Sequence, residues 1–72
     1  MSFRVRVDGQ SQDDAELYET SEASGAAEEA ARWLLENGEA DKDDFPFLLV
    51  VEDSDGHEYH FEVDDDFEAT EV

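Results

Sequence analysis

The sequence predicts an α+β fold with one helix packed on one face of a largely antiparallel sheet, in the order ββαββ, or βαββ if the second strand does not form. Three observations carry this reading. Apolar residues alternate with polar ones through Phe3, Val5 and Val7; they recur at helical spacing between Ala23 and Leu35; and an apolar run from Phe45 to Val51 leads through a turn signal into a second alternating run that ends at Val63.

The first strand covers Ser2 to Asp8, with Phe3, Val5 and Val7 on one face and Arg4 and Arg6 on the other. Polar turn material follows from Gly9 to Asp14, and Ala15 to Thr20, with Leu17 and Tyr18, reads as a short returning strand. Ser21 and Ser24 are both suited to cap a helix, because a hydroxyl there accepts from N–H groups left open in the first turn. Ala23, Ala27, Ala30, Ala31, Leu34 and Leu35 then form one apolar stripe, and Glu28, Glu29, Arg32 and Glu36 share the opposite face. Arg32 stands four residues from both Glu28 and Glu36, an ion-pair spacing, and Asn37-Gly38 supplies the stop.

Pro46 biases Phe45 toward extended backbone, so a strand begins near it. Asp53-Ser54-Asp55-Gly56 suits a three-residue hairpin loop with Gly56 in the left-handed position. That register sets Val51 opposite Tyr59, Leu49 opposite Phe61 and Phe47 opposite Val63. Six apolar residues then share one face, whereas a two-residue loop would split them between faces. Residues 1–63 are read as one domain, which is what 72 residues have room for. Residues 64–72, with five acids and Phe67 as the one large apolar group, are read mostly as a mobile tail.

Charge is the dominant compositional fact: 23 acids against four bases give a formal charge of −19 at pH 7. Low hydropathy with high charge is also the signature of disorder, but five Phe, two Tyr and one Trp in periodic patterns argue for a core. Self-repulsion at this charge opposes the compact state in dilute buffer. The screening length falls from roughly 10 Å at 0.1 M to about 3 Å at 1 M salt, so concentrated salt removes most of that cost. With Lys42 as the one lysine and carboxylates along the whole chain, the composition resembles that of small cytosolic proteins of salt-accumulating, halophilic archaea. The resemblance implies a KCl-rich cytoplasm and no particular activity. The absence of cysteine agrees with a cytoplasmic setting, and no apolar stretch has the length of a signal peptide or membrane span.

Candidate sites are few. Asp53, Asp55, Gly56 and Glu62 occupy positions 3, 5, 6 and 12 of a calcium-loop pattern, but position 1 is Val51 and the flanks read as strands, so a hairpin turn with acidic edges is the expected reading and no metal site is assigned. His57 and His60 are three apart on a strand and point to opposite faces; His60 lies beside Glu58 and Glu62. An acid–base role for His60 with Glu58 or Glu62 would need a cleft, and a domain of this size offers little concave volume, so no catalytic residue and no cofactor are expected. The isolated glycines make no phosphate-binding loop, and nothing names a small-molecule substrate. Trp33, on the flank of the helical stripe, reads as closing the edge of the core.

The sheet face away from the helix is the most informative surface. The preferred register leaves Leu48 and Val50 there as an apolar patch, beside His60 and beside Arg4 and Arg6, the one concentrated positive charge. Direct binding of nucleic acid is excluded by phosphate repulsion. The expectation is a non-enzymatic protein-interaction module that contacts itself or another protein through Arg4, Arg6, Leu48, Val50 and His60. The alternative is an acidic mimic of nucleic acid that occupies a basic partner, which requires acids spaced like phosphates on one face.

Overall fold

The computed structural model describes residues 1–9 and 15–72. Its elements are β1 (Ser2–Val7), β2 (Glu16–Glu19), α1 (Ala23–Glu36), a short 3₁₀ turn (Lys42–Asp44), β3 (Phe47–Glu52), β4 (Glu58–Val63) and β5 (Ala69–Glu71). The five strands form one antiparallel sheet in the order β2-β1-β3-β4-β5, and α1 packs against it, so the α+β class and both expected hairpins are observed. Among the described residues no helix is long and apolar enough to cross a membrane.

The β3–β4 hairpin has the register that buries most: Phe47, Leu49 and Val51 pair with Val63, Phe61 and Tyr59. Gly56 takes the left-handed conformation at φ 88°. On the helix side, Phe3, Val5, Leu49, Val51, Phe61 and Val63 meet Ala26, Ala27, Ala30 and Ala31, and these ten side chains form the buried core. Four small residues on one helical stripe let the backbone of α1 sit close to the sheet, so the core is built by strand side chains rather than by helical ones. The stripe is centred on Ala26 and Ala27 more than on Leu34 and Leu35, which are only half-buried.

The helix ends as expected and begins differently. At its C-terminus Gly38 has φ 73°, Glu39 N–H donates to Leu34 C=O at 2.9 Å and Gly38 N–H to Leu35 C=O at 3.3 Å. These two bonds close the last turn in a Schellman arrangement. At its N-terminus the cap residue is Glu22, with no side-chain cap bond, so neither Ser21 nor Ser24 serves as cap. Thr20 Oγ1 donates to Glu22 C=O at 2.6 Å and Ser24 Oγ to the Glu22 carboxylate at 3.5 Å, which fixes the entry through Glu22 instead.

Residues 64–72 depart most from expectation, because β5 pairs with β4 through Phe61–Glu71, Glu62–Thr70 and Val63–Ala69. The turn that enables this repeats the previous one. Asp64 Oδ1 accepts from the N–H groups of Asp66 and Glu68, both at 3.0 Å, as Asp53 Oδ1 accepts from Asp55 and His57, both at 2.9 Å. Phe67 occupies the left-handed position that Gly56 holds in the first turn, at φ 61°. A bulky residue is disfavoured there, and its ring is held by contacts: edge-on to Phe45 at 5.9 Å between centroids, and under the Arg32 guanidinium at 5.4 Å. Arg32 thus meets an aromatic face, and no ion pair to Glu28 or Glu36 is formed among the described residues. Glu28 instead accepts from the Ala69 N–H at 3.4 Å, tying α1 to β5.

Candidate functional site: the open sheet face

Strand alternation and the antiparallel register array the side chains of the face opposite α1 in rows across the sheet. One row runs Leu17, Arg4, Glu52, Glu58; the next runs Arg6, Val50, His60; the third holds Leu48 beside Glu62, with Thr70 beyond. All five residues expected to form an interaction surface therefore lie on this one face. They are not equally available.

Val50 is 2% exposed, which corrects its assignment to an exposed patch, while Leu48 is 46% exposed and fits it. Val50 is also absent from the helix-side core, so its cover comes from the open face. The cover is Arg6: its guanidinium crosses β3 from β1 to reach β4, where Nη2 stands 3.1 Å from Glu58 Oε2, and its own side chain is only 16% exposed. The hydrocarbon stem of an arginine can shield an apolar neighbour while its head stays paired. Arg6 is therefore committed to the fold. Arg4, two residues away, is exposed and forms no ion pair among the described residues.

Arg4 borders a recess of about 390 Å³ whose other walls include Leu17, Glu52, Asp53 and Ser54. A second recess, about 350 Å³, lies at the flank of α1 between Trp33, Tyr18, Leu34 and β1. Both volumes are at the small end for a ligand pocket. Neither touches His60, which stands exposed between Val50 and the edge strand, with Glu58 and Glu62 two residues to either side on the same strand. Trp33 itself is 41% exposed at the rim of the second recess. Burial pushes the Tyr18 hydroxyl above the usual tyrosine range, with Glu16 and Glu29 adding to the effect.

The calcium-loop pattern does not converge on a cage. Asp53 Oδ1 is engaged by two backbone N–H groups of its own turn, and Asp53 Oδ2 accepts from Tyr59 Oη at 3.4 Å and lies 3.6 Å from His57 Nδ1. Glu62 sits well along β4, opposite Leu48. The bonds from the His57 and Asp55 N–H groups, outweighing partial desolvation, hold the Asp53 carboxyl below the usual carboxylate range. Asp53 in turn raises the Tyr59 hydroxyl by its negative charge. Asp53, Asp55 and His57, and likewise Asp64, Asp65 and Asp66, place their ligand-type atoms within 4.8 Å of one another, but Asp53 and Asp64 are half-buried and engaged by the backbone of their own turns, and the other members are exposed.

Sequence reading missed Glu58 as the partner of Arg6. The signal was present in the alternation, which sets both on the same face, but the pairing needs β1 and β4 to flank β3, and strand order is not written in any local pattern. No family model, curated protein or solved structure matches this chain.

Proposed function

We propose that the protein is a non-enzymatic interaction module of a salt-rich cytoplasm and that the open sheet face is its contact surface. The observation that carries this reading is the half-exposed Leu48 in the central strand of a face that no helix covers among the described residues, on which exposed Arg4 also stands two rows away. A leucine at the middle of a sheet is where an interface core would sit, with His60, Glu62 and Arg4 as a polar rim. The nucleic-acid mimic is less well supported, because exposed carboxylates stand on β2, on α1, around the 3₁₀ turn and on both hairpin turns rather than on one face.

The two histidines make the test internally controlled. His60 is exposed on the open face and His57 is exposed at the hairpin. Acylation of histidine by diethyl pyrocarbonate is to be compared between the purified dilute protein and the same protein in an extract of its own cells at high KCl. Slower labelling of His60 with unchanged labelling of His57 supports a covered face. Equal labelling of both in the two settings defeats the reading.

A further inference from the structure

We infer that the occupant of the open face is a second copy of this chain, docked face to face about a two-fold axis that runs along β3; this rests on the open face being the contact surface. A two-fold rotation about β3 leaves each row in place and exchanges the strands on either side, so β1 of one copy faces β4 of the other. In the row of Arg4 and Glu58, the Arg4 guanidinium, which forms no ion pair among the described residues, then faces the Glu58 carboxylate of the second copy, whose Oε2 also holds Arg6 of its own chain, and the same contact recurs on the other side of the axis. The recess that Arg4 borders lies beside that contact, and its acidic walls, Glu52 and Asp53, oppose an incoming carboxylate there. On the axis itself Leu48 meets Leu48, so the one half-exposed apolar side chain of the central strand is covered by its own equivalent.

The face is therefore self-complementary in the Arg4–Glu58 row and at Leu48. Like charges oppose the contact: Glu52 meets Glu52 on the axis, Asp8 at the end of β1 faces Glu62 on both sides, and each subunit carries −19. The repulsion between two subunits of −19 each acts over longer range than any facing pair, so salt screens it more completely than the two Arg4–Glu58 contacts. The dimer is accordingly salt-promoted, the reverse of an association held together by ion pairs alone. Its size fits a weak contact. The strands, about 4.8 Å apart, hold 6, 4, 6, 6 and 3 residues rising about 3.3 Å each, which makes a face of roughly 400 Å². Two such faces bury about 800 Å², the size of a weak, transient contact.

Molar mass by light scattering across a protein concentration series tests this in 0.5 M and 3 M KCl. The expected result is a mass that climbs from 8.1 kDa toward twice that value at 3 M and less so at 0.5 M. Leu48→Asp removes the climb. Arg4→Glu and Glu58→Lys each weaken dimerisation about tenfold, as two lost rim pairs would, and an equimolar mixture of the two variants restores it, because the mixed dimer regains two opposite-charge contacts. Circular dichroism of each variant confirms that the fold is retained. A wild-type mass that stays at the monomer value through 3 M KCl overturns the self-contact; if His60 is still protected in extract, the face is then covered by a different molecule and the interaction reading survives. A dimer indifferent to Leu48→Asp, or variants that fail to complement, overturns the docking geometry.

Discussion

Arg6 and Glu58 join across a strand to which neither belongs: the 3.1 Å contact from β1 to β4 passes over β3 and closes the open face above Val50. The pair performs on one side of the sheet what α1 performs on the other, with two long side chains in place of a helix. Its value thus lies in packing as much as in charge, and the two contributions separate by substitution.

Arg6→Met keeps a stem over Val50 and removes the charge, whereas Arg6→Ala removes both. Arg6→Ala is expected to lower stability by about 1–2 kcal/mol through exposure of Val50. Arg6→Met and Glu58→Gln should each cost about 0.5–1 kcal/mol, since Glu58 is more than a third exposed and the pair is screened. Denaturant unfolding at fixed high salt measures all three. Equal losses for Arg6→Met and Arg6→Ala would mean that charge, not cover, is what Arg6 supplies.

Phe67 invites a reversal of the usual order between alanine and glycine. Both replacements lose the ring contacts with Phe45 and Arg32, but only glycine is relieved of the left-handed φ of 61°. Phe67→Gly should therefore be the milder change by about 1 kcal/mol. Thermal unfolding compares the two, and a less stable glycine variant would remove the case for backbone strain at this turn.

How much of this is legible in the sequence depends on whether a contact is local or needs strand order. The β3–β4 register follows from six apolar residues that fall on one face in only one loop length, and Gly38 and Gly56 are marked by type. The second turn hides its signal: Asp64 and Asp66 repeat the spacing of Asp53 and Asp55, but Phe67 stands where a glycine would be sought, so β5 reads as tail. The cover over Val50 is hidden for another reason, because Arg6 and Glu58 are 52 residues apart and meet only once the order β1-β3-β4 is known. In the candidate site, Arg4 and Leu48 keep the availability that alternation implies, while Val50 and Arg6 lose theirs to each other.

The small-residue stripe of α1 should resist enlargement. Ala31 is fully buried against the sheet, and Ala31→Leu forces extra methylenes between two packed layers. The expected loss is about 1–3 kcal/mol, despite leucine being a good helix former. Stability unchanged by Ala31→Leu would show that α1 is free to lift away from the sheet.

Acid should act on the β3–β4 turn through Asp53. Hydrogen bonds from the His57 and Asp55 N–H groups lower the folded-state pKa of Asp53, so its contribution is fully present above the ordinary carboxylate range and is lost as pH falls through the lowered value. Asp53→Asn keeps an oxygen acceptor for both N–H groups and cannot be protonated. The difference in stability between wild type and Asp53→Asn should therefore shrink as pH falls below the usual carboxylate pKa. Chemical unfolding from pH 7 down to pH 2.5 in constant KCl gives the curve, and two parallel profiles would mean that Asp53 plays no part in acid sensitivity.

Tyr59 places the opposite sign on the alkaline side of the same turn. The Asp53 charge raises its folded-state pKa, so protonated Tyr59 contributes below the unfolded tyrosine pKa and loses that contribution as pH rises through the raised value. Its hydroxyl donates to Asp53, and ionisation would set two negative groups 3.4 Å apart. Tyr59→Phe should flatten the alkaline limb and reduce the acid limb only slightly, since the phenol is the smallest of the causes that lower Asp53. It should also return the Asp53 titration part of the way toward the normal range, because one donor to its carboxylate is gone. Carbon-detected NMR of the Asp53 carboxyl reads that shift directly, and an unmoved Asp53 midpoint would indicate that the backbone donors of His57 and Asp55 set its acidity without help from the phenol.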